Sequence, residues 1–569
     1  MKRFLQITCV TFISLSTHTT TQALAQELDA NGQKLKSLFE TLIDNQSRIS
    51  EGSSISVNFE GDISVEQAGD YYAVTLPFLS LDYPDGSSMD IGLIGINAAQ
   101  HDSPDKWKMT FALPAQMNYR DADAQTLFTV DIGAQRSSGV WSESLGYFSK
   151  LDANFENIVF ENVRDGFTLN LPAARAVYDL DEDENKKWSG PIYFNLNDIT
   201  ANAPEVEGNA IEIGALDLNM ELFKYDPAAL QSYRTKLEEA LLNQQSVIEG
   251  EQTVANSQQA SELFTALIDL LGDGFTSEYQ ISNFKIKGSP SADDFNSMSF
   301  DNAHFGMDAI GFTRDNVDLN MRLGFDNFVI SPELEAMAAL APSNVNLDLS
   351  LANIPFSDIT ELGMNTFESG AINPGMAAMS LAFKLPAILS QAETTLLIED
   401  NYYGNEMYHV DLDGAVKTDL TAAHSATADI KAQVRGMDAV IAYLSDQAGQ
   451  ADAPVQQLQQ TIATLTMLKG LAAAGVNDAG DPTHNFDVAL NKEGKIFLNG
   501  QDMTMMMGLL GGMAGPAATG GAVPEQTPRG DQASPEQSEP STFVDPATPP
   551  EVESPQPADP EYPPEAIAD

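Results

Sequence analysis

A chain of 569 residues carrying 82 acidic against 29 basic side chains has a formal charge of −53, a field that repels nucleic acid and anionic membrane surfaces. It favours solubility, cationic partners or loosely held divalent cations, and in its plainest reading it is a well-solvated acidic surface. The single cysteine, Cys9, lies in the leader described next, so disulfide stapling, thiol catalysis and cysteine-ligated zinc are excluded for the mature chain.

The chain opens with Lys2-Arg3, an apolar run from Phe4 to Leu15, and a polar stretch closing on Ala23-Leu24-Ala25. That order is a secretory signal peptide, with cleavage expected after Ala25, and the run is too short to span a bilayer. A periplasmic address follows, with no stable membrane span after cleavage. Loss of Lys2 and Arg3 makes the mature chain still more acidic.

Strict alternation of apolar and polar residues then recurs at Ile55/Val57/Phe59, Tyr72/Val74/Leu76, Leu79/Leu81/Tyr83, Met89/Ile91/Leu93 and Trp107/Met109/Phe111/Leu113. A period of two marks strands that bury one face. Pro84-Asp85-Gly86 between two of these runs has the chemistry of a hairpin turn, so the pairing should be antiparallel. Further strands are expected at Phe128/Val130/Ile132, Phe167/Leu169/Leu171, Ile192/Phe194/Leu196 and Leu216/Leu218/Met220/Leu222.

Helical spacing interrupts the pattern at Asp226-Pro227, where an Asp cap precedes a first-turn proline and a Leu237/Leu241/Leu242 stripe follows. The Gln-, Ser- and Asn-rich stretch from Gln244 to Ser261 reads as a hinge. A second helix, Glu262 to Leu271, stops at Gly272-Asp273-Gly274. Strands resume at Val317 to Phe325, Val345 to Leu351 and Tyr408 to Leu412. An amphipathic helix from Val455 to Leu468 precedes the last strands, around Phe486/Val488/Leu490 and Ile496/Leu498. The apolar run Met503 to Met513 is too short to cross a bilayer.

Two short echoes point to duplication: residues 37–44 against 262–269, and Leu216-Asp217-Leu218-Asn219-Met220 against Val317-Asp318-Leu319-Asn320-Met321. From Ala514 onward the chain holds 13 of its 29 prolines and 11 acidic residues against Arg529 alone. Such a segment cannot bury enough apolar surface to offset its ordering entropy, so a disordered tail is expected. The expected fold class is α+β: extended, curved antiparallel sheet with amphipathic helices packed on one side. Its parts are a signal peptide at 1–25, two similar β-rich halves at 26–250 and 251–513, and a tail at 514–569.

The search for chemistry returns no catalytic, cofactor or metal residue. His101, His304, His409, His424 and His484 are never three or four residues apart, which excludes a helical metal pair. The cluster Asp179-Leu180-Asp181-Glu182-Asp183-Glu184 begins like a calcium loop. It then has Glu184 where the sharp turn needs glycine and Gly190 at the twelfth position. Gly-x-Ser-x-Gly and phosphate-binding glycine loops are absent, and carboxylate pairs carry no weight among 82 acidic residues.

The order amphipathic helix, Asn485-Phe486-Asp487-Val488 and Glu493-Gly494-Lys495-Ile496-Phe497-Leu498-Asn499-Gly500 resembles the closing strands of the uncharacterised YdgA-like periplasmic family and a related alphaproteobacterial group. Asn344 to Pro355 resembles their strand-then-proline segments. The resemblance implies a signal peptide, a long antiparallel sheet with helices on one side and a periplasmic home. It carries over no catalytic residues.

The expectation is a non-enzymatic envelope protein. Its half-buried strands would offer an apolar face to a hydrophobic ligand, in the first place a lipid, or to an envelope protein. The alternatives are a hydrolase of envelope polymers acting through carboxylates and a calcium-stabilised structural module. No cofactor is expected, and the oligomeric state is not legible.

Overall fold

The structure, a computed structural model, describes residues 28–50, 55–204, 206, 209–245, 262–263, 265–288, 297–331, 338–370, 374–450, 455–477 and 479–504. The expected signal peptide, most of the expected hinge, the run after Thr504 and the expected disordered tail lie outside the described residues. All described residues belong to one compact unit ending at Leu510.

Alternating apolar residues form strands, and the strands follow one another across the sheet. The first group is β1 (Ser56–Glu60), β2 (Ser64–Ala68), β3 (Tyr71–Asp82), β4 (Ser88–Gln100), β5 (Lys106–Ala112) and β6 (Gln116–Arg120). Longer strands come next: β7 (Thr126–Ser142), β8 (Tyr147–Asn162), β9 (Thr168–Asp179), the short β10 (Asp181–Glu182), β11 (Trp188–Asn202) and β12 (Asn209–Tyr225). Then come β13 (Gly274–Lys287), β14 (Ser297–Ile310), β15 (Val317–Asp326), β16 (Val329–Ser331), β17 (Asn344–Ile354), β18 (Thr395–Gly404), β19 (His409–Thr418) and β20 (Ala426–Arg435). The last are β21 (Ala473–Val476), β22 (Pro482–Leu490), β23 (Ile496–Leu498) and β24 (Gln501–Asp502).

Among the described residues these 24 strands form one sheet, antiparallel throughout. The expected hairpin at Pro84-Asp85-Gly86 joins β3 to β4, with Asp82 opposite Ser88 and the Gly86 amide donating to the Tyr83 carbonyl at 3.0 Å. The boundary expected near 250 falls in the connection between β12 and β13. These two strands pair directly, Leu218 opposite Tyr279, so the two halves share one unbroken sheet.

The helices are α1 (Ala30–Ser50), α2 (Pro227–Gln245), α3 (265–271), α4 (Phe356–Gly370), α5 (Pro374–Gln391), α6 (Met437–Gln447) and α7 (Val455–Leu471). Asp226 caps α2 as the sequence implies, its carboxylate accepting the Ala228 amide at 2.9 Å. Leu35 and Phe39 of α1 enter the main core, and α4 and α5 form a hairpin inserted between β17 and β18.

Pure alternation misplaces one side chain. Met89/Ile91/Leu93 reads as one face, yet Ile91 is buried, Leu93 is 56% exposed, and Ile94 and Ile96 are buried instead. Gly92 has φ 108° at an irregularity in the β3–β4 register, which shifts the phase of the strand by one residue.

A crease crosses the long strands. Asn157, Asp198 and Asn283 take φ of 55°, 55° and 54° in mid-strand. The intact register on either side sets Asn157 opposite Gly133 and Pro172, Asp198 opposite Pro172 and Gly214, and Asn283 opposite Gly214. Asn and Asp tolerate the left-handed region best among residues with a side chain. Gly133 and Gly214 leave room for them: a Cβ on either would come within 2.9 Å of Asn157 or Asn283. The row continues through Asn327, φ 53°, at the end of β15.

Candidate functional site

Residues directly opposite in antiparallel strands point to the same face, so the register traces one face across the sheet. One row runs Ala153, Ala176, Phe194, Leu218 and continues Tyr279, Phe305, Leu323, Leu347. A parallel row on that face carries Ile192, Met220, Ser277, Met307, Met321 and Leu349, then Ile398, Gly414, Ile430, Val488 and Leu498. Its one hydroxyl, Ser277, donates inward to the Met307 carbonyl at 3.1 Å. No charged side chain interrupts either row.

The environment of this face changes along the sheet. Ala153 is 1% and Ala176 6% exposed, members of the core built from β3 to β11 and α1. Further along the same row Tyr279 is 44%, Phe305 39%, Leu323 45% and Leu347 37% exposed, and beside them Met307 is 39% and Met321 46%. A closed core thus becomes an open apolar face on β13 to β17. Tyr279 and Phe305 lie tilted against each other with ring centroids 6.3 Å apart. Scattered exposed apolar residues are ordinary on a protein surface, whereas a contiguous patch marks an interaction site.

The opposite face is polar and largely paired within itself, with Asn320 Oδ1 and Arg322 Nε buried without a partner among the described residues. Arg322 donates to both carboxylate oxygens of Asp308 at 3.1 and 3.0 Å, and Asn320 donates to Asp348 and Ser350. Burial raises the Asp308 pKa above the ordinary carboxylate value; Arg322 opposes this, while Asp348 and Glu278 add to it. The Arg322 side chain lies over Gly306, where a Cβ would meet its Nε at 2.9 Å.

A polar hollow of about 860 Å³ lies on β19, β20 and β22, lined by His409, Asp411, Asp413, Lys431, Arg435 and Asp487 among others. His409 Nε2 is 3.0 Å from Asp411, and its ring stacks on Tyr402 at 5.5 Å. Among the described residues no serine, threonine, cysteine or tyrosine lines the hollow.

The acidic loop is occupied by its own chain. Lys150 bridges Asp179 and Asp181, Glu182 pairs with Lys106 at 3.3 Å and Lys186 at 3.1 Å, and Asp183 accepts the Asn185 and Lys187 amides. The amide bonds hold the Asp183 pKa below its usual value. Among the described residues no group of three or more His, Cys, Asp or Glu side chains is placed to hold a metal. The remaining four histidines among the described residues stay apart: His101 accepts the Ser103 amide at 3.1 Å, His304 packs over Gly324, His424 lies against Gly494, and His484 lies on the apolar face beyond Val434.

Sequence periodicity marked β12, β15 and β17 as half-buried strands, but it missed β13 and β14, which complete the open face, and β18 and β20, which continue its second row. On β13, β14 and β20 the face positions include Ser277, Ala303, Ala309, Ala428 and Ala432, which weaken the apolar signal; the register of β18 shifts between Ile398 and Asn401, and β13 changes phase at Asn283. Among the described residues no helix is long and apolar enough to cross a membrane. No protein-family model matches the chain, and no curated protein matches it.

Proposed function

We propose that the protein is a non-enzymatic lipid binder of the cell envelope, holding hydrocarbon chains against the open apolar face of β13 to β17. One observation carries this reading: a single row of paired side chains passes from 1% exposure at Ala153 to 44% at Tyr279 without a polar interruption. Leaving such a surface in water costs roughly 25 cal/mol per Å², and an acyl chain removes it from water without needing hydrogen-bond partners. The row through Met220 and Leu498 spans ten strands, about 40 Å at roughly 4.8 Å per strand. Methionines at its centre suit chains of varied shape.

In this reading residues 1–25 export the chain, the periplasm is its home, and the amphipathic helices border the face on one side. The YdgA-like resemblance agrees with that address. No observation favours the carboxylate hydrolase or the calcium module over lipid binding.

The test is organic extraction of the purified mature protein followed by mass spectrometry. Lipid at near-stoichiometric yield, reduced in a Phe305→Asp/Met321→Asp variant, is the expected result. Absence of lipid from a natively folded preparation, with no uptake of added fatty acid, would sink the proposal.

A further inference from the structure

The hairpin of α4 and α5 leaves the sheet between Ile354 and Thr395, beside the paired Leu351 and Leu396 at the border of the apolar face. Its base is fixed. Thr394 Oγ1 donates to the Asn353 carbonyl at 2.8 Å, Thr418 Oγ1 to the Leu389 carbonyl at 3.0 Å, and the Leu420 amide to Ser390 Oγ at 2.9 Å. Leu385 to Ser390 are half-buried there.

Ahead of them, Met379 and the run Leu381 to Lys384 are exposed. Phe383 is 75% exposed, Met379 61% and Leu381 39%, and Met379 and Phe383 stand one helical turn apart on one face. Local charge sets this segment apart from the rest of the chain. A protein in which 82 of 569 residues are acidic has no Asp or Glu between Ser369 and Ala392, and the only charge there is Lys384. Elsewhere the acidic side chains of the chain oppose approach to an anionic surface; this segment adds none to that repulsion and supplies one cation. An exposed apolar helix face with a cation beside it, on a helix not apolar enough to span, has the makings of an element that lies in a membrane interface.

We propose that α5 seats this end of the sheet on a lipid bilayer, with Phe383 and Met379 entering the boundary between headgroups and acyl chains and Lys384 at the phosphate level. The occupant is a bilayer surface. The inference rests on the lipid-binding reading for its purpose, since docking here sets the border of the apolar face, at Leu351 and Leu396, against the source of its ligand.

The experiment uses the whole mature chain and vesicles of phosphatidylcholine with a minor fraction of phosphatidylglycerol. In flotation, the wild type should rise with the vesicles, and Met379→Asp/Phe383→Asp should lower the bound fraction about tenfold or more with an unchanged melting temperature. Phe383→Trp supplies a second readout that keeps the native apolar character. Trp107, Trp141 and Trp188 are at most 8% exposed, so a blue shift on adding vesicles, quenched by brominated lipid, reports residue 383.

Equal flotation of the folded double variant, or a Phe383→Trp signal indifferent to brominated lipid, overturns the proposal. So does a wild-type dimer in vesicle-free sedimentation that the double variant abolishes, because a second copy would then be the occupant. Co-extracted lipid separates the two ideas. If it persists while flotation fails, the docking role falls and lipid binding stands; if flotation persists without co-extracted lipid, the reverse holds.

Discussion

Truncating two phenylalanines of the same apolar face should give unequal losses of stability. Phe155 and Phe305 both point to the apolar face, from β8 and β14, but Phe155 is 2% exposed within the core and Phe305 is 39% exposed on the open stretch. Phe155→Ala removes a fully enclosed ring and leaves a cavity, which costs about 3–5 kcal/mol. Phe305→Ala forfeits only the covered fraction of a side chain whose full burial is worth about 1.5–3 kcal/mol, and solvent fills the space, so the loss should be about 1–2 kcal/mol. Urea unfolding of delipidated protein, followed by the fluorescence of the three buried tryptophans, measures both through the midpoint shift at constant slope. A loss of 3 kcal/mol or more for Phe305→Ala would refute the reasoning, because it would mean that the face is closed in solution.

Three further outcomes are expected. Asp273 is 5% exposed, its carboxylate accepting from Thr313 with Lys224 and Arg314 each at 3.5 Å; Asp273→Asn should cost about 1–3 kcal/mol near pH 7 by thermal melting. Burial acts to raise the pKa of that carboxyl, yet the Thr313 bonds and the two cations hold it below 3.8. Its contribution is therefore complete above that value and lost as pH falls through the lowered one, and the variant should lack this part of the acid dependence. In the crease, Asn157→Val should cost about 1–3 kcal/mol because a β-branched residue resists φ of 55°, while Asn157→Gly should unfold close to wild type; equal effects would argue against the left-handed bend. Removing calcium with chelator should leave the melting temperature unchanged, and a drop of several degrees would revive the calcium reading.

Much of the sheet was legible because alternation reports burial on one side, as at Leu216/Leu218/Met220/Leu222 and Val345/Leu347/Leu349/Leu351. Asp226-Pro227 and Pro84-Asp85-Gly86 likewise announced their cap and turn through local chemistry. The open face was not legible. Leu218 and Phe305 belong to equally apolar strand positions, and nothing in either strand says whether another layer covers them; only the register from Ala153 to Leu347 relates the closed part to the open one. The crease was hidden for a similar reason. Asn157, Asp198 and Asn283 are unremarkable polar residues until pairing sets them opposite Gly133, Pro172 and Gly214. The α4–α5 hairpin escaped because its significance lies in exposure, which Met379 and Phe383 do not reveal by type.

The central claim is that hydrocarbon lies on one defined face of β13 to β17. A fatty acid carrying a photoreactive diazirine, bound to the mature protein, crosslinked and mapped by peptide mass spectrometry, tests it most directly. Adducts concentrated on Tyr279, Phe305, Met307, Met321, Leu323 and Leu347 are predicted, with Asn320, Arg322 and Asp348 on the opposite face unlabelled. Adducts spread over both faces, or none above a denatured control, would contradict the account.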